Sequence, residues 1–366
     1  MNAEKEKILI EAGKERMRRM KEPELRTLFF ELTDACNLHC LHCGSSCGPE
    51  RARYLPIELI AKTLRSVKEA MGTDRTLIAL TGGEPLLHPS FFEIVRLIDG
   101  MGFRWGITTN GTLIDRETAL KLKENHITSI AFSLDGNQET HNLLRRSPRA
   151  FEKAVEGIRA FVEVAGHDAA TMITSVIHKG NIGQLAEMYD IAKSLRVHFW
   201  RPINVEPIGR ANDHDDLFLS KEDYRTLFDF ICHKRKEGGP MQVTYGCSHF
   251  LPLEYELEVR DQPFYCMAGI HVASILVDGS IYACLDIERR PELIEGNVKE
   301  DDFFEVWQKR FAFYRKDRTN CSYCASCPRR AYCLGDSAHT WNFEANQPNL
   351  CLYRYLESES GGNGHG

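Results

Sequence analysis

The sequence lacks long apolar runs and any excess of positive charge. No apolar segment reaches the roughly 18 residues that a membrane-spanning helix needs. The N-terminus also lacks the basic and apolar regions of a secretory signal. The chain has 46 basic and 52 acidic residues, and its net charge of −6 argues against nucleic acid as the main partner. These absences predict a cytoplasmic protein that works neither in a membrane nor on nucleic acid.

Cysteine is absent from the middle of the chain. Of the 13 cysteines, four lie between Cys36 and Cys47 and eight between Cys247 and Cys351, and the only other one is Cys232. A disulfide framework is rarely divided in this way, whereas separate cysteine groups in a long chain without a secretory signal indicate metal. We interpret Cys232 as a core thiol and Cys47 as a bystander.

Three cysteines of the first group, Cys36, Cys40 and Cys43, stand in one short loop. The loop follows an apolar run at 27–32 that is typical of a strand. Three thiolates are one fewer than close a structural zinc site or an ordinary iron–sulfur cluster. The pattern therefore predicts a metal centre with one open position. A weaker alternative makes His39 and His42 metal ligands.

From residue 25 onward, short β-rich runs alternate with helical segments. Six such units fill the chain up to about residue 205. The alternation predicts an α/β fold with a parallel sheet and right-handed crossovers, curved into a partial (β/α)6 barrel. Sites in such folds form at the carboxyl ends of the strands, where the cysteine loop lies.

Polar and glycine-rich turns follow the next predicted strands. Glycine permits a close approach of the backbone to a ligand, and the other residues add carboxylates, hydroxyls and a guanidinium. The set could bind a zwitterionic ligand that carries an amine, a carboxylate and a ribose. Its members are Gly82, Gly83, Glu84, Pro85, Asn110, Ser133, Asp135 and Arg145.

The C-x3-C-x2-C loop and the Gly-Gly-Glu-Pro turn together resemble the radical S-adenosylmethionine (SAM) superfamily over 25–211. The resemblance implies that the three cysteines hold a 4Fe–4S cluster whose fourth iron binds the amine and carboxylate of SAM. It places the Gly-Gly-Glu-Pro turn at the SAM amino group, Ser133 and Asp135 near the ribose, and Arg145 near the carboxylate. Ser175 would line the same site. The family usually has an aromatic residue before the third cysteine; here it is His42, which can stack on adenine.

The C-terminal cysteines carry a second resemblance, to the SPASM extension with its auxiliary 4Fe–4S clusters. The pattern is C-x12-G-x4-C, then C-x2-C-x5-C and a later cysteine, and it departs from the family at Ser337, where a cysteine is expected. We predict two auxiliary clusters. Their ligand sets are Cys247, Cys266, Cys284 and Cys321 for the first, and Cys324, Cys327, Cys333 and Cys351 for the second. Zinc ribbons, or a first site with only three cysteine ligands, are the alternatives.

These assignments divide the chain into five parts. The predicted parts are an N-terminal helix at 1–24, a radical SAM core at 25–211, a helical bridge at 212–262, a small cysteine-rich α+β SPASM domain at 263–355 and a polar, disordered tail at 356–366.

The resemblance implies an enzyme that cleaves SAM reductively to a 5′-deoxyadenosyl radical, which abstracts hydrogen from a substrate. The auxiliary clusters would accept an electron as the product forms, which suits oxidative modification or crosslinking of a ribosomally synthesised peptide. The alternatives are an enzyme of porphyrin-type cofactor biosynthesis, a maturase that oxidises a protein residue, and a non-enzymatic iron–sulfur electron carrier.

The same interpretation names further groups and partners. Glu206 and Asp286 are candidate acid–base residues. The reductive step needs an external electron donor such as flavodoxin or ferredoxin. Because only residues 1–24 precede the first predicted strand, leader recognition would fall to the barrel, the bridge or a separate leader-binding partner.

Overall fold

The computed structural model describes residues 2–166, 168–246 and 249–357. A first helix, α1 (Asn2–Lys21), precedes the six predicted βα units. The units are formed by β1 (Thr27–Glu31), α2 (Ile57–Met71), β2 (Leu77–Thr81), α3 (Phe91–Gly100), β3 (Arg104–Thr109), α4 (Arg116–Glu124), β4 (Ser129–Ser133), α5 (Gln138–Arg145), α6 (Ala150–Ala165), β5 (Ala170–Ile177), α7 (Leu185–Ser194) and β6 (Phe199–Asn204). Helix α5 was not predicted.

The remainder of the described chain is built from shorter elements. They are α8 (Lys221–Glu237), β7 (Gln242–Val243), α9 (Leu253–Glu256), β8 (Val272–Ile275), β9 (Ser280–Tyr282), β10 (Gly296–Asn297), α10 (Phe303–Lys309), α11 (Ser322–Ala325), α12 (Arg330–Cys333), β11 (Trp341–Asn342), β12 (Gln347–Pro348) and α13 (Leu352–Glu357). Helix α13 includes the first two residues of the predicted tail, and 358–366 lie outside the described residues.

Side-chain caps explain where several helices begin. The Asp115 carboxylate accepts a hydrogen bond from the Thr118 amide at the start of α4. Ser220 and Asp223 form a reciprocal capping box at the start of α8. Such caps satisfy amide groups that have no partner within the helix, and each is worth about 1 kcal/mol.

One large sheet joins the two halves of the chain. Its order is β10-β9-β8-β1-β2-β3-β4-β5-β6-β7. The strands from β8 to β7 in this order run parallel, and β9 and β10 are added antiparallel. The α/β prediction is thus confirmed, but strands of the predicted C-terminal domain and of the bridge extend the core sheet. The pairing of Thr27 with Val272 cannot be seen in local periodicity.

The two faces of the strands have different surroundings. Trp200 on β6 is fully buried and makes edge contacts with Tyr189 of α7 and Phe230 of α8. Because side chains alternate along a strand, its neighbour Arg201 points to the barrel interior, where residues are only half-buried. The same alternation runs along β2, β4 and β5. The carboxyl ends of these strands therefore surround an accessible interior.

Helix α1 is attached to the cysteine-rich region. Its Arg16 is buried and donates a hydrogen bond to the Cys333 carbonyl at the end of α12. The Met20 side chain packs in a small apolar cluster with Ile270 and Leu334. Within the described ranges, no helix combines the length and apolar character that crossing a bilayer requires.

Candidate functional site

The cysteine loop leaves the carboxyl end of β1 and folds back on itself. Cys36 and Cys40 are buried and Cys43 is half-buried. The Cys36 amide donates to the Gly48 carbonyl at 3.1 Å, and the Cys43 amide donates to the Cys40 carbonyl at 3.4 Å. These bonds hold the three thiols within one short loop, as their spacing predicted.

An arginine from the far side of the barrel clamps this loop. Arg210 follows β6, and its guanidinium donates to the carbonyls of Cys40 and Cys47, each at 2.8 Å. Its amide donates to the Cys43 carbonyl at 3.1 Å. This role could not be predicted from the sequence, because a lone arginine in a polar loop has no characteristic pattern.

The Gly-Gly-Glu-Pro turn lies directly against the cysteine loop. The Gly83 amide donates to the Thr33 carbonyl at 2.7 Å, and the Glu84 amide donates to the Ala35 carbonyl at 2.8 Å. A β-carbon at Gly83 would overlap the Ala35 carbonyl oxygen, so only glycine permits this approach. The turn and the loop are therefore held as one unit.

Glu84 is fully buried beneath the turn. Its carboxylate accepts hydrogen bonds from the Thr109 hydroxyl and the Asn110 amide, both at 2.9 Å. Burial raises the pKa of Glu84 to about 7, although these hydrogen bonds oppose the shift. The Glu84 side chain thus ties the turn to the carboxyl end of β3 from beneath. The backbone of the turn is left to face a ligand.

Asp135 and Arg145 form a buried ion pair beside the loop. Arg145 Nε and Nη2 lie 2.7 and 2.6 Å from Asp135 Oδ2. Asp135 Oδ1 accepts a bond from the Val176 amide at 2.9 Å. Burial alone would raise the pKa of Asp135, but Arg145 and His141 hold it well below its usual range. Arg145 Nη1 also lies 3.6 Å from Cys40 Sγ, so the pair reaches the cysteine loop.

The other predicted SAM contacts divide into two groups. Ser133 is half-buried, and Asn110 Nδ2 lies 3.9 Å from Cys36 Sγ. Burial and the Arg145 charge lower the pKa of His42 to about 3, so its ring is neutral, and its buried Nδ1 has no hydrogen-bond partner.

Ser175 is different: its hydroxyl donates a hydrogen bond to the Leu134 carbonyl at 2.5 Å and accepts one from the Trp200 indole at 3.0 Å. Those bonds point the Ser175 side chain toward the helices. Because side chains alternate along β5, Thr174 and Val176 point to the barrel interior instead.

The predicted second auxiliary site is a single cavity. The lining of this cavity includes all four cysteines of the predicted set: Cys324, Cys327, Cys333 and Cys351. Burial raises the pKa of the Cys333 thiol above its usual range, so a metal would have to compensate the charge of its thiolate.

The predicted first auxiliary set is less compact. Cys247 lies outside the described residues. Burial and a hydrogen bond with Cys321 raise the pKa of Cys324 to about 12, which places the Cys321 thiol beside the second set. Burial raises the pKa of Tyr314, the neighbouring Cys266 and Cys284 add to this rise, and its buried hydroxyl has no hydrogen-bond partner. That orphaned hydroxyl could donate to a sulfur atom of a cluster held by these two cysteines.

The two candidate acid–base residues lie in different settings. Glu206 accepts a hydrogen bond from Asn204 at 2.9 Å and lies 3.1 Å from His249 Nε2. Burial alone would lower the pKa of His249, but Glu206 and Asp336 raise it to about 10. The protonated His249 ring is therefore a cation that lies between two carboxylates. Asp286 is exposed and lies beside Cys284. An acid–base role for either residue stays a prediction.

Comparison with known families gives two matches, one on each side of the bridge. Residues 30–192 match the radical SAM superfamily, and residues 266–328 match SPASM, an iron–sulfur cluster-binding domain. The chain is a radical SAM enzyme with a SPASM domain. These domains imply 4Fe–4S clusters and SAM as cofactors, and the electron-carrier alternative is therefore set aside.

Relatives of this radical SAM enzyme act on different substrates. The AdoMet-dependent heme synthase of Methanosarcina barkeri is 28% identical over 357 residues, which cover 90% of this chain and 97% of the relative. The mycofactocin maturase MftC of Mycolicibacterium smegmatis is 29% identical over 318 residues, covering 84% of this chain and 76% of the relative. The solved structure of anSMEcpe with AdoMet and the Kp18Cys peptide has a TM-score of 0.69 at 22% identity, and the match covers 91% of this chain and 94% of that one.

The donor groups of this radical SAM chain fit the implied cofactors. Three thiols in the loop leave one iron of a cluster free for SAM. The neutral imidazole of His42, with its unpartnered nitrogen, suits a neutral adenine ring. Four thiols around one cavity suit a fully ligated auxiliary cluster.

The close approach of the turn makes a first prediction. Gly83→Ala will push the turn away from the cysteine loop and lower SAM cleavage by about 100-fold, since displacements near 1 Å can have effects of that size. 5′-Deoxyadenosine release measures the effect, and iron content should stay unchanged. Gly100→Ala is the matched control, because a β-carbon at Gly100 meets no atom within 4 Å. Full activity of Gly83→Ala would contradict the role of the turn.

Proposed function

We propose that this enzyme oxidatively modifies or crosslinks a ribosomally synthesised peptide. Its four-cysteine cavity in the SPASM region is the observation that carries the proposal. Hydrogen abstraction removes one hydrogen atom from the substrate, and closing a new bond releases a further electron and a proton. A redox centre in that cavity would accept the electron, so the substrate would leave oxidised.

The bound cofactors would supply the 5′-deoxyadenosyl radical and the electron acceptor. The residues of the chain position and shield them. Arg210 holds the cysteine loop, and the Asp135–Arg145 pair fixes the adjacent rim. The half-buried inward faces of the strands form an interior in which a substrate would be separated from bulk water.

The proposal requires partners beyond SAM. The peptide itself is the first, and the likeness to a maturase and to a peptide-bound structure supports it. An external donor such as flavodoxin or ferredoxin would supply the electron for SAM cleavage. If neither the barrel nor the bridge recognises the leader of the precursor peptide, a separate leader-binding protein would do so.

A porphyrin-type substrate is the second candidate, and two observations favour it. The heme synthase match extends over 97% of that relative. In addition, Arg201 lies on the inward face of β6, where it donates to the Thr174 hydroxyl at 3.1 Å and has a buried Nε without a hydrogen-bond partner. Among the described residues no carboxylate forms an ion pair with Arg201. A substrate carboxylate, such as a propionate, would satisfy it.

A two-arm assay separates these candidates. The reconstituted enzyme is incubated with SAM and dithionite, once with a candidate precursor peptide from any short open reading frame beside its gene and once with a porphyrin that carries propionates. Mass spectrometry then follows both substrates. We expect hydrogen loss in the peptide. A converted porphyrin beside an unchanged peptide would instead support the second candidate and contradict the first.

A further inference from the structure

Arg16 of helix α1 is a buried cation without an acidic partner. Only 1% of its surface is exposed, and its Nε and Nη2 are buried atoms with no hydrogen-bond partner. Its Nη1 donates to the Cys333 carbonyl. Among the described residues no carboxylate forms an ion pair with Arg16. Burying a charge without a counter-charge is costly, so this guanidinium calls for an anion that the protein itself does not provide.

Arg16 lies between the two predicted auxiliary cysteine sets. Its guanidinium carbon is 5.8 Å from the centre of the Tyr265 ring, and Tyr265 directly precedes Cys266 of the first set. Its hydrogen bond to the Cys333 carbonyl ties it to the second set. Burial and the neighbouring Arg318 lower the pKa of Arg16 to about 10, and the thiols of Cys266 and Cys333 act in the opposite direction. Arg16 therefore stays charged at neutral pH.

Arg318 is a second buried cation in the same region. It is 4% exposed, its Nη2 donates to the Asp336 carbonyl at 2.7 Å, and its buried Nε has no hydrogen-bond partner. Its guanidinium carbon is 5.5 Å from the centre of the Trp341 ring, whose buried Nε1 also has no hydrogen-bond partner. No carboxylate of the described chain forms an ion pair with Arg318. Guanidinium and indole groups only donate hydrogen bonds, so an acceptor must satisfy all of them.

The packing of α1 against α12 fixes the position of Arg16. A β-carbon at Gly13 would lie 2.7 Å from the α-carbon of Tyr332, so only glycine lets the two helices approach this closely. Glu6 at the other end of α1 lies 3.3 Å from Arg329 in an ion pair. These contacts place Arg16 at the carboxyl end of α12, where Cys333 lies.

We propose that Arg16 and Arg318 are the buried counter-ions of the auxiliary 4Fe–4S clusters. The proposal rests on the clusters that the SPASM match implies and not on the substrate. Thiolate ligands give such a cluster a net negative charge, and both this charge and hydrogen bonds to sulfur set the reduction potential. Buried charges are screened little by salt, so the two cations stabilise the reduced, more negative cluster. They thereby raise its potential and help it to accept an electron.

A redox titration of the reconstituted full chain, followed by electron paramagnetic resonance, tests this role. Arg16→Met and Arg318→Met should each lower the midpoint potential of the auxiliary clusters. At a fixed potential the ratio of reduced to oxidised cluster should fall by about tenfold, which is about 59 mV for a one-electron couple. The SAM-site cluster, recognised by the change of its signal when SAM is added, should keep its potential.

Two further variants separate charge from shape. Arg16→Lys keeps the positive charge and should keep most of the auxiliary potential. Arg18→Met is the matched control on the same helix, because it removes a charge at an exposed position where Arg18 pairs with Glu15 and Glu22. Solvent screens such a charge, so all cluster potentials should stay unchanged in Arg18→Met.

The outcomes separate this proposal from the proposed function. Unchanged auxiliary potentials in either methionine variant would overturn it, and so would equal shifts in Arg16→Met and Arg16→Lys. If the methionine variants lose auxiliary iron, iron retained in Arg16→Lys would support the need for the charge, and iron lost there as well would refute it. Failure to modify a peptide, with the potentials shifted as expected, would refute only the peptide proposal.

Discussion

Replacing Cys36, Cys40 and Cys43 together by alanine will remove about four irons per chain and abolish 5′-deoxyadenosine release from SAM. The three thiols lie in one loop that Arg210 and the Gly-Gly-Glu-Pro turn hold against the strand ends. No other thiol in the described chain occupies that loop except Cys47, which hydrogen-bonds to the Ser45 carbonyl. The auxiliary sites draw on other cysteines, so their iron should remain.

Iron and sulfide analysis and chromatography of the nucleoside product measure this effect. Cys232→Ala is the matched control, because Cys232 lies on α8 and belongs to none of the three predicted ligand sets. It should keep full iron and full activity. If the triple variant still released 5′-deoxyadenosine at the wild-type rate, the cysteine loop could not be the SAM-cleaving site.

Asp135→Asn will destabilise the enzyme by about 3–5 kcal/mol, the usual cost of leaving one member of a buried ion pair without its partner. Asp135 is fully buried. Arg145 would keep its charge without its ion-pair partner, and its Nη1 lies 3.6 Å from the Cys40 thiol. Because the pKa of Asp135 is held below its usual range, its stabilising effect is present above about pH 4 and is lost as the pH falls toward the folded-state value.

Urea unfolding at neutral pH measures this loss. Glu117→Gln is the control, since the exposed Glu117–Lys121 pair on α4 should contribute only about 0.3–0.5 kcal/mol. A double variant, Asp135→Asn with Arg145→Gln, should lose less than the sum of the two single changes. Equal losses of unfolding free energy for Asp135→Asn and Glu117→Gln would show that the buried Asp135–Arg145 pair stabilises the fold no more than an exposed pair.

Local patterns were sufficient to predict the barrel and the cysteine loop. Strand–helix alternation and the spacing of Cys36, Cys40 and Cys43 depend on residues that are near one another in sequence. Helix α5 was missed because it is a short segment soon after β4, where Arg145 was considered only for its guanidinium group. Ser175 was expected to line the SAM site, but its side chain faces the helices. Neighbouring residues on a strand point to opposite faces, so an error of one residue reverses the expected direction.

Long-range contacts could not be predicted in this way. The pairing of β8 with β1 joins segments from opposite ends of the chain. Arg210 reaches the cysteine loop only after the barrel has closed. His339 approaches Cys284 because the β8–β9 hairpin and the segment before β11 meet in space. Each contact depends on tertiary packing, so none leaves a periodic trace in the sequence.

The shared sheet fixes the distance over which an electron would pass between the first auxiliary site and the SAM site. Strand β8, which leads into the β8–β9 hairpin and Cys284, pairs directly with β1, which leads into the SAM-site cysteine loop. Arg289 follows that hairpin and contacts both Glu31 at the end of β1 and Ser45 in the loop. The first auxiliary site is therefore fixed relative to the SAM site by paired strands and an ion pair.

The most direct test of the peptide proposal is the coupling of SAM cleavage to a change in peptide mass. The reconstituted enzyme is given SAM, dithionite and a candidate precursor peptide from any short open reading frame beside its gene, and both products are quantified over time. We predict 5′-deoxyadenosine formed in step with a peptide that has lost hydrogen, and neither product in the Cys36, Cys40 and Cys43 triple alanine variant. Release of 5′-deoxyadenosine with the peptide mass unchanged would contradict the proposal.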